Sequence, residues 1–219
     1  EFRSAAMRAC YLATDRPELQ YTAKECARAM QRPTAAAWEA VKRLARYLLG
    51  APRVVWIWRR QRRPDFISGF ADSDWAGQTS TRKSTSCTVA MLGQHLLFQS
   101  STTQVPIALS SGEAEFYSLV KCASRMIGLQ SLYRDLGWQL QLRLSTDSTA
   151  AKGICSRRGA GKVRHLETPL LWVQRALEEK RFSLYKVDGK NNPADLGTKH
   201  MDATTMQRHL ARMNIHVQQ

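Results

Sequence analysis

Phe66-Ile-Ser-Gly-Phe-Ala-Asp-Ser-Asp-Trp-Ala-Gly77 alternates large and small residues as a strand does, then carries Asp72 and Asp74 to a glycine-bearing turn where that strand should end. Acids placed there are unfavourable unless something binds them. Three later acidic positions, Glu115, Asp147 and Asp195, each open or sit in a predicted helix beside a strand or turn. Whether they converge on Asp72 decides both fold and chemistry.

Working downstream, Ser84 to Leu92 and His95 to Ser100 read as two more strands with Gly93-Gln94 as a tight hairpin, so the three strands should form an antiparallel meander. Ser110-Ser-Gly-Glu113 fits a capping box, in which Glu113 closes back onto the Ser110 backbone. In the helix that follows, Glu115, Leu119, Cys122, Met126 and Leu129 share one face. A carboxylate on that apolar face implies a bound cation or an Arg. Leu140 to Thr146 is a further strand, and Asp147 at its junction with the next helix reads equally well as an ordinary N-cap or as a site residue.

Ser156 to Arg164 is Gly-rich and basic, a loop suited to touching phosphate, although it lacks the P-loop spacing. Leu166, Leu170, Val173 and Leu177 predict a helix with Pro169 near its start. Phe182 to Val187 is a fifth strand. Beyond it Asn192 caps a helix start, Pro193 takes the first position and Asp195 the third, where an acid already gains from the helix dipole. The tail from Asp202 to Gln219 should add one short, basic helix.

Upstream, residues 1–20 are weakly patterned, with Met7, Tyr11 and Leu12 expected inside. Tyr21 to Gln31 is helical, stopped by Pro33. A second helix starts at the N-cap Thr34, shows Trp38, Val41, Leu44 and Leu48 on one face, and ends at Gly50 and Pro52. Arg53 to Trp58 reads as a strand, and Arg59-Arg-Gln-Arg-Arg63 is the sharpest charge run, either a solubilising linker or a phosphate-contacting edge.

The 219 residues suffice for one good-sized core with an appendage, and 43% hydrophobic content is that of a folded chain. No run approaches the ~20 apolar residues of a membrane span, and the first residues lack an apolar signal core, so a soluble, intracellular protein with no membrane partner is expected. Five cysteines are odd in number and form no C-x-x-C pair, and the five histidines show no ligand spacing, so neither a disulfide framework nor zinc is supported. The net charge of +15 is uneven: residues 1–64 hold 14 Lys and Arg against 5 acids. A polyanion is the expected partner.

Three meander strands followed by helix-crossed strands make an α/β fold, a five-stranded mixed sheet flanked by helices, with the fourth strand parallel beside the first. Asp72 and Asp147 then become neighbours, Glu115 looks down from the first helix after the meander, and Asp195 arrives last. Each pair of carboxylates about 4 Å apart costs on the order of 4 kcal/mol at an effective dielectric of 20. Divalent cations remove that cost, and hard oxygen ligands select Mg2+ or Mn2+. Two such ions roughly 4 Å apart suit phosphodiester cleavage.

The motifs carry a resemblance. Phe70-Ala-Asp-Ser-Asp-Trp-Ala-Gly77, Arg82-Lys-Ser-Thr-Ser86, Ala108-Leu-Ser-Ser-Gly-Glu-Ala-Glu-Phe-Tyr117, Thr146-Asp-Ser148 and Ala194-Asp-Leu-Gly-Thr-Lys199 resemble the ribonuclease H domain of copia-type retrotransposon Pol polyproteins. Residues 1–63 are similar to the C-terminal end of the adjoining reverse transcriptase, notably Asp15-Arg-Pro17, Arg32-Pro-Thr34 and the stretch from Trp38 to Leu48. The resemblance implies a helical N-terminal segment at 1–63, a ribonuclease H-like domain at 64–200 and a basic tail at 201–219. It implies hydrolysis of the RNA strand of RNA:DNA hybrids during reverse transcription, with two Mg2+ ions, or Mn2+ as substitute, on Asp72, Glu115, Asp147 and Asp195. Asp72 would bridge both ions, Glu115 and Asp147 would hold one, and Asp195 the other. Arg82, Lys83, Ser111, Ser148, Arg164 and Lys199 are the expected nucleic-acid contacts, and the polymerase domain of the same polyprotein is the expected protein partner. The implied location is cytoplasmic, in virus-like particles, with the nucleus as a second compartment.

Two departures stand out. Val187-Asp-Gly-Lys-Asn-Asn192 lacks the loop histidine usual before the last aspartate of cellular ribonucleases H, which leaves Lys190 as the nearest candidate for its role. No Y-x-D-D polymerase signature is present. The alternatives to a ribonuclease H are an inactive nucleic-acid-binding module of the same fold, a DNA-cutting transposase or integrase-like nuclease, and a host-recruited structural partner.

Overall fold

The structure is a computed structural model that describes residues 1–161, 163, 165–166 and 168–218. In chain order its elements are α1 (Phe2–Leu12), α2 (Gln20–Arg28), α3 (Ala35–Gly50), β1 (Arg53–Trp56), β2 (Phe66–Ser73), β3 (Thr85–Leu92), β4 (His95–Thr103), α4 (Ser111–Asp135), β5 (Gln141–Thr146), α5 (Thr149–Ser156), α6 (Trp172–Glu178), β6 (Ser183–Lys186), α7 (Ala203–Arg212) and β7 (Ile215–Gln218). Short 3-10 turns at Pro17–Leu19 and Pro193–Gly197 matter below.

Five strands form one sheet in the order β4-β3-β2-β5-β6. The β2–β3 and β3–β4 pairs are antiparallel, whereas β5 lies parallel to β2 and β6 parallel to β5. This is the mixed sheet, with its meander and its parallel fourth strand, that the motif order leads one to expect of a ribonuclease H-like domain. The strand carrying Asp72 is the central one.

Both faces are covered, which is why β3 is buried almost end to end. Its alternation splits the core in two. Ala90 joins Ile67, Phe116, Leu119, Met126 and Leu144 beneath α4, while Cys87, Val89 and Met91 face Leu196, Leu210 and Met213 from the Pro193–Gly197 turn and α7. The tail therefore holds more than the helix expected there: β7 follows α7 and pairs antiparallel with β1, from Arg53↔Gln218 to Trp56↔Ile215.

Two sequence expectations fail locally. Met7, Tyr11 and Leu12 are 55%, 78% and 41% exposed, and α1 instead buries Phe2, Ala6 and Ala9. The helix rests on its neighbours through small side chains, which permit close approach, with the Phe2 ring edge-on to Trp38 at 5.4 Å. The helix expected over Leu166 to Leu177 is confined to α6, after a 3-10 turn at Thr168–Leu171.

Helix α4 crosses β2 at Gly69, where a Cβ would lie 2.7 Å from Met126 Cγ and 2.8 Å from Leu144 Cδ2. That close crossing sets the depth at which Glu115 meets the end of β2. Gly69→Val should destabilise the fold by about 1–3 kcal/mol through overpacking, read as a lower urea midpoint; an unchanged midpoint would show that α4 can lift from the sheet without loss.

Candidate metal centre

Parallel pairing of β2 with β5 ends at Ala71↔Thr146. The next residue on each strand is an aspartate, so Asp72 and Asp147 emerge side by side. Asp147 is free for this because the adjoining serine caps α5: Ser148 Oγ accepts from Ala151 N–H at 3.1 Å. Helix α4 supplies the third acid, Glu115, whose Oε1 accepts from Ser73 N–H at 3.2 Å. Ser118, one turn on, donates to the Asp72 carbonyl at 2.7 Å and locks helix to strand. One carboxylate oxygen from each of Asp72, Glu115 and Asp147 lies within 4.8 Å of the others.

Asp195 stands apart from this trio. It occupies the Pro193–Gly197 turn, whose N-cap, Asn192, accepts from Ala194 N–H and donates to the Ala71 carbonyl at 3.0 Å. Thr198 donates to Asp72 Oδ2 at 2.6 Å, so the turn is tied to β2 twice. The Asp195 carboxylate itself pairs with Lys199 at 2.5 Å, and its other oxygen lies 4.0 Å from His209 Nε2. His209 is fully buried, with neither ring nitrogen hydrogen-bonded among the described residues. Its position beside the centre has no sequence signal: it is a lone histidine in a helix of the tail.

The acids adjacent to the trio have separate jobs. Asp74 accepts from Thr85 N–H and sits against Gly77, where a Cβ would collide with it, so it shapes the β2–β3 turn. Glu113 is completely buried and accepts from Leu109 N–H at 3.0 Å, Tyr117 OH at 2.7 Å and His165 at 2.9 Å. Half of the expected capping box forms, with Ser110 Oγ accepting from Glu113 N–H. The reciprocal bond reaches Leu109 instead of Ser110.

Burial dominates the electrostatics. It pushes Asp72 up to about 8, reinforced by the charges of Asp195 and Asp147 and opposed by the Thr198 hydrogen bond. Glu115 rises to about 9 from burial and from Asp72 and Asp147. Asp147 is raised as well, first by burial and then by Asp195. Lys199 moves up despite its burial, held by Asp195 and by the fields of Asp72 and Asp147. A divalent cation fits this donor set: the ligands are hard oxygens, and Glu115 Oε2 is buried with no hydrogen-bond partner among the described residues.

Of the expected nucleic-acid contacts, Arg82 is exposed at φ +58° in the β2–β3 turn, with Lys83 half-buried beside it. Ser111 is exposed in the first turn of α4, Ser148 is occupied as a cap, and Lys199 is paired with Asp195. Arg164 lies outside the described residues. Lys190 is exposed in the Gly189–Asn191 turn.

A central strand, a crossing helix and a parallel neighbour that deliver three acids to the C-terminal ends of the strands give an α/β domain with the ribonuclease H-like fold. The chain is 27% identical over 218 residues to the retrovirus-related Pol polyprotein from transposon RE2 of Arabidopsis thaliana, and 26% identical over 218 residues to that from transposon RE1 of the same plant. Each alignment covers 98% of this chain and 15% of the relative, so the chain spans about a seventh of the length of the polyproteins it matches. The resemblance to retrotransposon Pol polyproteins read from the motifs is thereby borne out along nearly the whole sequence. No family model matches the chain. Among solved structures, the N-terminal ribonuclease H domain of a Mycobacterium tuberculosis protein aligns at TM-score 0.44 and 17% identity, over 66% of this chain and 96% of that one.

The raised carboxylates give stability a pH signature. Because folding raises Asp72 from 3.8 and Glu115 from 4.5, their protonated forms favour the folded state; that contribution is complete below the unfolded values and is lost as pH rises through about 8 to 9. In EDTA the melting temperature should therefore fall across this window, less so in Glu115→Gln, and adding Mn2+ at the alkaline end should restore it. A parent and variant with superimposable pH profiles would contradict this.

Proposed function

We propose that the chain is the ribonuclease H portion of a retrotransposon Pol polyprotein, hydrolysing the RNA strand of RNA:DNA hybrids, with residues 1–63 as the end of its reverse transcriptase. The observation that carries this reading is the meeting of Asp72, Glu115 and Asp147 around an unpartnered buried carboxylate oxygen in a chain of net charge +15. Asp72, Glu115, Asp147 and Asp195 are the residues that would hold two Mg2+ ions, or Mn2+ in their place. When bound, such ions supply an activated water and offset charge on the scissile phosphate.

The chain's own residues prepare that chemistry. Thr198 fixes the rotamer of Asp72 through its 2.6 Å bond. Ser73 N–H orients one oxygen of Glu115 and leaves the other buried without a hydrogen-bond partner among the described residues. Arg82 and Lys83 extend from the turn beside it and Lys199 stands next to Asp195, cations suited to the phosphates of a bound strand. Ser111, Ser148 and Arg164 complete the proposed contact set.

Labelled RNA annealed to DNA, duplex RNA and duplex DNA, each with Mg2+ or EDTA, test the reading. The expected result is metal-dependent loss of RNA from the hybrid alone, reduced by at least about 100-fold in Asp72→Asn and Asp147→Asn, the scale set by losing one charge-stabilising group. Variants that cut as well as the parent would remove these acids from the centre. Salt-sensitive binding with no cleavage in Mg2+ would identify a binding module. In hybrid-binding assays, Arg82→Ala should lower the slope of log affinity against log salt by about 1; an unchanged slope would take Arg82 off the contact surface.

A further inference from the structure

The turn that carries Asp195 is held from two sides. On the sheet side Asn192 and Thr198 bond to Ala71 and Asp72. On the outer side it faces the Pro17–Leu19 turn and α2, which belong to the N-terminal segment. There Gln99, a buried residue of β4, donates its side-chain amide to the Pro17 carbonyl at 3.1 Å, while its backbone carbonyl accepts from Gln20 Nε2 at 2.9 Å. The same amide abuts Gly197: a Cβ on that glycine would lie 3.3 Å from Gln99 Nε2 and 2.5 Å from Cys87 Sγ. Ser101, two residues along β4, donates to the Gly197 carbonyl at 2.5 Å. Gly197 lies midway between Asp195 and Lys199.

One turn further out, the Tyr21 ring of α2 meets His200 edge-on, with centroids 4.8 Å apart. Between these contact points the two sides do not close. A cavity of about 230 Å³ remains, lined by Leu19, Tyr21 and Tyr47 from the N-terminal segment and by Leu196, Lys199 and Met206 from the turn and α7. A segment that faces a gap is placed by the few contacts that cross it, because no close-packed wall resists its displacement. Here those contacts are the Gln99 stack and the Tyr21–His200 edge.

We propose that α2 and the Pro17–Leu19 turn form a brace that fixes the Asp195-bearing turn relative to Asp72, with Gln99 and Tyr21 as positioning residues. The inference rests on the metal-centre reading only in giving Asp195 a task. Residues 1–63 are then part of the acidic centre's support as well as the end of the neighbouring polymerase. Loosening the brace separates Asp195 from the trio while leaving Asp72, Glu115 and Asp147 together, since those three are positioned by β2, β5 and α4.

The test uses the full chain and the variants Gln99→Leu and Tyr21→Ala; among the described residues neither side chain hydrogen-bonds Asp72, Glu115, Asp147 or Asp195. Hydrogen exchange is followed at the amides of residues 194–200, and binding of Mn2+ alone is followed by loss of the free-ion resonance signal. Amide exchange should accelerate across 194–200 but not in β2. The weaker Mn2+ association should fall by about 10-fold, the scale of losing a supporting partner behind a ligand, with the tighter one unchanged. Hybrid cleavage by Tyr21→Ala should recover as Mn2+ is raised while its melting temperature in EDTA matches the parent's, which separates a loosened turn from general destabilisation. Wild-type exchange and Mn2+ binding in both folded variants would overturn the brace. Should Gln99→Leu fail to fold, the half-buried Tyr21 decides by the same measurements. If the parent chain cuts no hybrid, the functional reading fails and the exchange data still judge the brace.

Discussion

Two parallel strands stop pairing one residue before an aspartate on each, and most of this molecule follows from that adjacency. Parallel pairing of β2 with β5 forces Asp72 and Asp147 together at the C-terminal ends of the two strands, where burial and mutual repulsion both oppose ionisation. Among the described residues, no Arg or Lys forms an ion pair with Asp72, Glu115 or Asp147 to relieve the conflict. Helix α4 instead adds a third carboxylate, aimed at the same point. A fold that tolerates this arrangement is set up for a cation.

Much of this was legible in the residues because the relevant signals are local and periodic. The run from Glu115 through Leu119, Cys122 and Met126 repeats at the helical period, so the acid's presence on the buried face could be read directly. Asp72 and Asp74 were harder to separate, since residues two apart on a strand share a face. The strand stops at Ser73, and Asp74 passes into the turn and bonds Thr85. Asp147 and Ser148 are both good caps, and only the hydrogen bond to Ala151 decides between them.

What the sequence hides is nonlocal or carried by small side chains. In α1 the large residues Met7 and Tyr11 face outward while Ala6 and Ala9 are buried, so hydrophobicity pointed to the wrong face. Strand β7 is four residues long and gains its partner from a segment more than 150 residues earlier. His209 carries no pattern at all; its closeness to Asp195 exists only once α7 has folded back under the sheet.

The β1–β7 ribbon ties the last described strand to residues 53–56. Strand β7 follows directly on α7, which seals one face of β3, while β1 continues from α3. Opening the ribbon would loosen α7 from the chain that leaves α3, so β1, α7 and β7 share a cooperative unit with the sheet. Local fraying of β7, ordinarily of no consequence, is here coupled through α7 to the turn that carries Asp195.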